Sequence, residues 1–475
     1  MLMKSIANVL LLCLFFSAAK SEIKLPSLLM DNMVLQQNAS VSLWGKANVN
    51  TDVIIKTSWD NKTYKIKSNG EGSWEVKVNT IAGSYTAHNI SISDGQEKRL
   101  TNILLGEVWL CGGQSNMEMS TRGFTNQPLF NANDEMLDSD FPGIRMFSVR
   151  REFNTQPQDD CKGVWRLANP QSVETFSAVG FNFAKILNKT LKVPIGLIGC
   201  YWGGSRIEAW MSEDKLKQFI KVDIKPESLT PAKANRAPTL LYNGMLKPVS
   251  KFTIKGCIFY QGEANVTNPG SYLKLLPEMV RNWRESFSND FPFYYVQLAP
   301  FSYENMGWNA NGTEVAMFRE VQQKALAAIP NSGMVGTTDI GSASTIHPPE
   351  KRTVAKRLAY YALLKTYNLN GIGGLPPSYL SYAKDNQKII VELENVGYGL
   401  SAYGQEIEGF EIAGADKIYH KADAEIIKGG KGKIALKSEK VKEPLSVRYC
   451  FKNYSYGNVY NSYGIGLLPF RTDNY

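Results

Sequence analysis

Three textures of apolar and polar positions follow one another along the chain. From about Glu22 to Asn102, short alternating runs (VSLWG, DVIIKTSW, TYKIKS, SWEVKV, NISIS) are separated by turn signals such as Asp60-Asn61 and Asn69-Gly70-Glu71-Gly72. Alternation puts every second side chain on one face of a strand, so residues 22–102 predict a small β-sandwich. From about Ile103 to Leu369, all-apolar runs alternate with amphipathic ones. VWLCGG precedes a helical stretch, IGLIGCYWGG precedes SRIEAWMSEDKLKQFI, and KGCIFYQGE precedes SYLKLLPEMVRNWRESF. FYYVQLAP and SGMVGTTD lead into EVAMFREVQQKALAAI and PPEKRTVAKRLAYYALLKTY. Uniformly apolar strands are buried on both faces, so 103–369 predicts an α/β unit: a parallel sheet with helices on both faces. Residues 370–475 return to β texture (KIIVELENV, GFEIAG, KIYHKADAEII, KIALKSE, LSVRYCF) and predict a β-rich C-terminal domain. Within the α/β unit, 222–250 is polar and proline-bearing and predicts a long loop insert.

The first 21 residues stand apart. Lys4 precedes an apolar core from Val9 to Phe16, and small residues Ala19 and Ser21 suit cleavage before Glu22. This core is well short of the ~20 residues that span a bilayer. The pattern therefore predicts an export signal over 1–21, with the mature chain periplasmic or extracellular, or lysosomal or secreted in an animal cell. No membrane association is expected once the signal is gone. Its removal takes Lys4 and Lys20 from a formal charge of +9. The remaining charge is dispersed, and the basic cluster KGGKGK at 428–433 reads as a hairpin turn, so nucleic acid is not an expected partner. Oligomeric state leaves no mark in the sequence. Of the six cysteines, Cys111, Cys200 and Cys257 lie in apolar runs and read as small core hydrophobes. No CxxC or HExxH spacing occurs, and neither a metal nor an organic cofactor is expected.

Chemistry is constrained most by histidine, of which there are three. His88 and His420 sit in strand-like β segments. His347 lies in STIHPPEK, between a strand end and a helix that Pro348 and Pro349 would start. A loop at the carboxyl edge of a parallel sheet is where ligands gather and a general base belongs. The other unusual strand end is GEVWLCGGQSNMEMS, where two glycines precede Gln114, Ser115 and Asn116. Ser115 reads either as a helix N-cap or as a nucleophile. Taken with His347 at a matching edge, the strand–Gly-Gly–Ser–helix order favours the nucleophile. Two further strand ends, Trp202-Gly203-Gly204-Ser205 and Tyr260-Gln261-Gly262-Glu263-Ala264-Asn265, carry glycines and amides. A glycine N–H and a side-chain amide would complete a three-point oxyanion hole with the Ser115 N–H.

GGQSNM, WGGSRIEAW, YQGEAN and IHPPEK, in this order, resemble the four blocks of the SGNH (GDSL-type) hydrolase superfamily, and more narrowly its sialate O-acetylesterase branch. LPSLLMDNMVLQQ and the closing LSVRYCFKNYSYGNVYNSYGIGLLPFRTD are similar to that branch's flanking β regions. The resemblance implies an SGNH-hydrolase-like sheet and a serine esterase that removes O-acetyl groups from a carbohydrate, foremost 9-O-acetyl sialic acid. It implies Ser115 as nucleophile and His347 as general base. The oxyanion hole would use the N–H groups of Ser115 and Gly204, with Asn265 or, second, Gln261 as the amide. Gln114, Asn116, Arg206, Glu208 and Glu263 would contact substrate or brace the loops. Family members carry an aspartate two or three residues before the histidine, but Ser344 and Thr345 stand there. The nearest acids are Asp339 and Glu350. Loss of a triad acid costs about 10⁴ in rate in a serine protease, so a dyad of weakened activity is one expectation. An acetyl-xylan or other plant-glycan esterase, and a glycan-binding protein with a decayed site, are the alternative functions.

Overall fold

A computed structural model describes residues 22–222, 229–307 and 312–474; the expected export signal lies outside the described residues, as do 223–228 of the polar insert. Seven strands form the centre: β1 (Glu97–Gly113), β2 (Phe141–Ser148), β3 (Trp165–Ala168), β4 (Ile195–Tyr201), β5 (Gly256–Tyr260), β6 (Phe293–Val296) and β7 (Ser332–Val335). They lie in the order β7-β6-β5-β1-β4-β2-β3. Neighbours are parallel throughout, apart from the antiparallel β2–β3 pair. The helices that matter for the site are α1 (Ser115–Glu118), α2 (Ala178–Leu191), α3 (Pro269–Phe287), α4 (Glu314–Ala325) and α5 (Lys351–Lys365).

The alternation of side chains along β1 distributes these helices. Trp109 turns to one face and meets Phe183 of α2 with ring centroids 5.0 Å apart. Gly112 turns to the other face, where Trp283 of α3 would lie 3.0 Å from an added Cβ. Helices α2 and α5 pack together on the first face. On the other, α4 meets α3 through Phe318 and Tyr272, with ring centroids 4.5 Å apart. The sheet is thus buried on both faces, as its uniformly apolar strands require.

β1 also ties the N-terminal β region to the centre. Its first half pairs antiparallel with Ser84–Ser93 and parallel with Val34–Gln36, before its second half enters the central sheet. The expected boundary at 102/103 therefore falls inside one continuous strand. One hydrophobic core runs from Ile23 to Leu363 and takes in Leu468, whereas residues 389–470 enclose another. In the C-terminal region, Asp423–Ile426 and Lys433–Lys437 form an antiparallel pair, and the basic cluster makes their connecting turn.

The segment SRIEAWMSEDKLKQFI is not one helix: it forms a 3₁₀ turn, Ile207–Trp210, and a single α turn, Glu213–Leu216. A tertiary bond interrupts it, since the Ser212 N–H donates to Asn282 Oδ1 of α3 (2.9 Å), and within the segment Trp210 Nε1 donates to Ser205 Oγ (2.9 Å). Helix α5 begins at Lys351, just past the prolines. Cys111, Cys161, Cys200, Cys257 and Cys450 are buried and unbridged. No described helix is long and apolar enough to cross a membrane.

Candidate active site

The register of the sheet brings three polar strand ends level. Gly113 of β1 stands opposite Tyr201 of β4 on one side and Tyr260 of β5 on the other. Gly113 has φ +137°, and a Cβ there would lie 2.2 Å from the Tyr260 carbonyl oxygen, so the chain can turn only as glycine. The Gln114 N–H then donates to that same carbonyl (2.9 Å). Gln114 is the N-cap of α1, and Ser115 is its first helical residue. Ser115 is not a cap: its hydroxyl is 2.8 Å from His347 Nε2.

His347 Nδ1 lies 2.7 Å from Gln127 Oε1. An amide oxygen can only accept, so the proton sits on Nδ1, and Nε2 offers its lone pair to the serine hydroxyl. Gln127 belongs to a tight turn in which Phe124 and Gln127 exchange backbone bonds of 3.1 and 2.9 Å. The Phe124 ring of this turn meets the imidazole edge-on at 5.3 Å. Neither nearby acid reaches the imidazole. Asp339 is paired with Arg357 at 2.8 and 2.6 Å, and Glu350 accepts from Thr353 Oγ1 (3.0 Å). Thr345 Oγ1 instead accepts the His347 N–H (3.2 Å), while Ser344 bonds within the loop to Ser342.

A buried polar network joins the two partners from behind. Asn116 Nδ2 donates to the Ile346 carbonyl (3.1 Å) and to Glu263 Oε1, and Asn116 Oδ1 accepts from Lys351 Nζ (2.5 Å). The residue after the serine is thereby tied to the residue before the histidine. Burial holds the His347 imidazole down at about 4, with the Lys351 charge adding to the effect. Burial also lowers the Lys351 ammonium to about 7, against the pull of Glu263, and raises the Glu263 carboxyl. Glu263 Oε2 is buried with no partner among the described residues.

The remaining candidates also converge here. A Cβ on Gly203 would lie 3.4 Å from Ser115 Cβ, and the Gly203 N–H is taken by Glu118 Oε2 (2.8 Å). Gly204 follows at φ +70°, and its N–H, like that of Ser115, has no acceptor among the described residues. Asn265 Oδ1 accepts from the Ile207 N–H (3.0 Å) and from Gln261 Nε2 (2.9 Å), while its Nδ2 gives one proton to Glu208 Oε2 (2.9 Å). Gln261 Nε2 also donates to the Ser205 carbonyl (3.0 Å), so both its protons are spent, whereas Asn265 keeps one. Gln114 Oε1 braces the loop after β5 by accepting from the N–H groups of Gly262 and Ala264 (3.2 and 3.4 Å). Arg206 is exposed. Chemically, the arrangement offers an activated hydroxyl and a neutral imidazole beside N–H groups left open for an anion.

Gln127 and Lys351 were invisible as site residues from the sequence. Gln127 lies in a loop without pattern. Lys351, four residues after His347 at the start of a helix, carried at most a spacing hint.

Comparison with known proteins bears on the family of the chain. The profile of the carbohydrate esterase, sialic acid-specific acetylesterase family matches residues 105–363. The sialate O-acetylesterase of Mus musculus is 31% identical over 337 residues, which cover 58% of this chain and 60% of that protein. The human sialate O-acetylesterase is 28% identical over 400 residues, 74% of this chain and 73% of that one. The chain thus spans well under the full length of these relatives. A crystal structure of a carbohydrate acetylesterase from Xanthomonas citri superposes with a TM-score of 0.85 at 32% identity, covering 96% of this chain and 100% of that one. The chain belongs to the carbohydrate esterase family of sialic acid-specific acetylesterases.

Proposed function

We propose that this chain is an SGNH-type serine esterase that removes O-acetyl groups from a carbohydrate. The observation that carries the reading is the 2.8 Å contact between His347 Nε2 and Ser115 Oγ at the carboxyl end of β1. The Ser115 oxygen attacks the acetyl carbonyl as Nε2 takes its proton. The Ser115 and Gly204 N–H groups and the remaining Asn265 Nδ2 proton receive the oxyanion. His347 gives the proton to the sugar oxygen as its bond to the acyl carbon breaks, releasing the sugar hydroxyl and leaving an acetyl-enzyme. Water, deprotonated by the same nitrogen, then releases acetate and frees the serine.

Gln127 takes the orienting position of a triad acid but brings no charge. It holds the productive tautomer without stabilising the imidazolium, so the serine works as a dyad with an amide support. The mammalian relatives are named for sialate, which gives O-acetyl sialic acid as one substrate reading. Charge pairing beside the site favours a second reading, a neutral acetylated glycan. The engaged serine also argues against a decayed glycan-binding protein.

The test is acetate release from acetylated glycans and p-nitrophenyl acetate by Ser115→Ala protein. A fall of roughly 10⁴-fold or more is expected, with loss of labelling by a fluorophosphonate. Undiminished turnover would overturn the assignment.

A further inference from the structure

Two segments with no legible pattern in the sequence, the 151–162 loop and the helical turn Tyr242–Leu246 inside the expected loop insert, build a cavity beside Trp202. Residues 151–162 and the segment around Gly244 enclose about 580 Å³, with Trp202 as one wall. That volume lies within the range of ligand pockets, about 300–1,000 Å³. The loop and the helical turn are stitched together. The Asn154 N–H donates to the Leu240 carbonyl (3.2 Å), the Gln158 N–H to the Asn243 carbonyl (3.0 Å), and Asn243 Nδ2 to the Asn154 carbonyl (3.2 Å). Gly244 allows the approach, since a Cβ there would lie 2.7 Å from the Glu152 carbonyl oxygen.

The cavity communicates with the reacting serine through one chain of contacts. Trp202 immediately precedes Gly203, whose backbone packs against Ser115. The Arg151 guanidinium lies over the Trp202 indole at 5.7 Å, and its Nε donates to Glu118 Oε1 (2.7 Å). The other oxygen of Glu118 holds the Gly203 N–H (2.8 Å). A group lodged against Trp202 is thus one residue along the chain from the Gly203 backbone that packs against Ser115.

The lining chemistry selects the occupant. Both cations of the wall are already committed, Arg151 to Glu118 and Lys162 to Glu152. Asp160 adds a further carboxylate, accepting from the N–H groups of Ser27 (2.9 Å) and Cys161 (2.8 Å). An incoming carboxylate would meet no uncommitted cation in this cavity; exposed Arg206 is not part of its wall. Asn154 Nδ2 and Gln158 Oε1, by contrast, have no partner among the described residues: one donor and one acceptor, the pair that a sugar hydroxyl uses. Trp202, beneath the Arg151 guanidinium, and Phe153 add apolar surface to the lining.

We propose that this cavity is a glycan subsite that seats an uncharged pyranose next to the acetylated one, so that the natural substrate is a neutral O-acetylated polysaccharide or oligosaccharide rather than a sialoglycan. The inference rests on the esterase reading for its orientation but has its own readouts. The first compares kcat/KM of the wild-type protein on acetylated xylan, acetylated glucomannan and O-acetylated sialic acid of mucin. A preference for a neutral substrate is expected, and a preference for sialic acid overturns the proposal. The second uses Asn154→Ala/Gln158→Ala protein, substitutions at half-buried loop side chains. The ratio of its kcat/KM on the neutral glycan to that on p-nitrophenyl acetate is expected to fall about tenfold, from two lost hydrogen bonds. An unchanged ratio overturns the subsite. The third is calorimetric binding of deacetylated xylo-oligosaccharide to Ser115→Ala protein, expected to weaken when the two loop substitutions are added. If Ser115→Ala protein stays fully active while this binding behaves as expected, the nucleophile assignment fails and the subsite stands.

Discussion

The two halves of the site are built by different means. The serine half is a product of the sheet. β1 delivers Gly113 at a fixed register between β4 and β5, and the Tyr260 carbonyl, only 2.2 Å from where a side chain would start, dictates the turn that exposes Ser115. The histidine half has no strand to hold it. Residues 336–350 carry His347 on a loop whose position depends on side chains from three distant segments: Asn116 on the Ile346 carbonyl, Gln127 on Nδ1, and the Asp339–Arg357 pair at the base. Backbone-defined geometry tolerates little change and needs few residue identities. Side-chain-defined geometry can exchange its supports, and here an uncharged glutamine from a distant turn holds Nδ1.

This contrast is open to attack from the serine side first. Gly113→Ala forces a Cβ into the Tyr260 carbonyl at a φ of +137°, and β5 must move or the turn must change. A loss of about 3 kcal/mol in stability is expected, read by denaturant unfolding, together with loss of most esterase activity. A variant as stable and active as the parent would show that the sheet does not dictate the turn.

The histidine half predicts smaller effects. Gln127→Ala removes one uncharged hydrogen bond and should lower kcat about tenfold with KM little changed, far less than the loss of a triad aspartate. Gln127→Glu places a carboxylate on Nδ1, which favours the imidazolium. It should raise the plateau rate and move the acid limb of the kcat/KM profile to higher pH. If both variants leave rate and profile untouched, Gln127 does not orient the base.

The smallest effect is electrostatic. The base must be neutral to accept a proton, and His347 is held down at about 4, so activity should persist well below the pH at which an ordinary histidine protonates. The charged groups around it are Lys351 at the start of α5, Glu263 on the loop after β5 and Glu350 on its own loop. Lys351 opposes the imidazolium; Lys351→Met therefore lets the histidine hold its proton to higher pH, and the acid limb should shift upward by a fraction of the total depression, because burial remains the larger cause. An unmoved limb with merely lowered stability would make Lys351 a packing residue.

The sequence went further on the fold than on the site. Long periodic stretches such as SYLKLLPEMVRNWRESF and EVAMFREVQQKALAAI become α3 and α4, because an apolar stripe at helical spacing admits few other burials. SRIEAWMSEDKLKQFI has helix-forming residues yet is broken by the bond to Asn282 of α3, a partner that no local pattern could show. In the site, Ser115, His347, Gly204 and Asn265 were legible because glycines, amides and a scarce histidine stood at strand ends. Between Asn265 and Gln261 the sequence put Asn265 first, and the structure adds that Asn265 is the amide with a proton to spare.

By itself, the sequence determined an α/β centre between β-rich flanks and a serine and a histidine at one sheet edge. These follow from periodicity and from residue types whose chemistry is rare. Only the tertiary structure decided that β1 runs unbroken through the expected domain boundary, that Gln127 supports the imidazole, and that Asn116, Lys351 and Glu263 lock the two halves together. It also set the 151–162 loop against the helical turn Tyr242–Leu246 to form a cavity at Trp202. Each of these depends on contacts between residues far apart in the chain, where registry and burial, not local preference, set which groups meet.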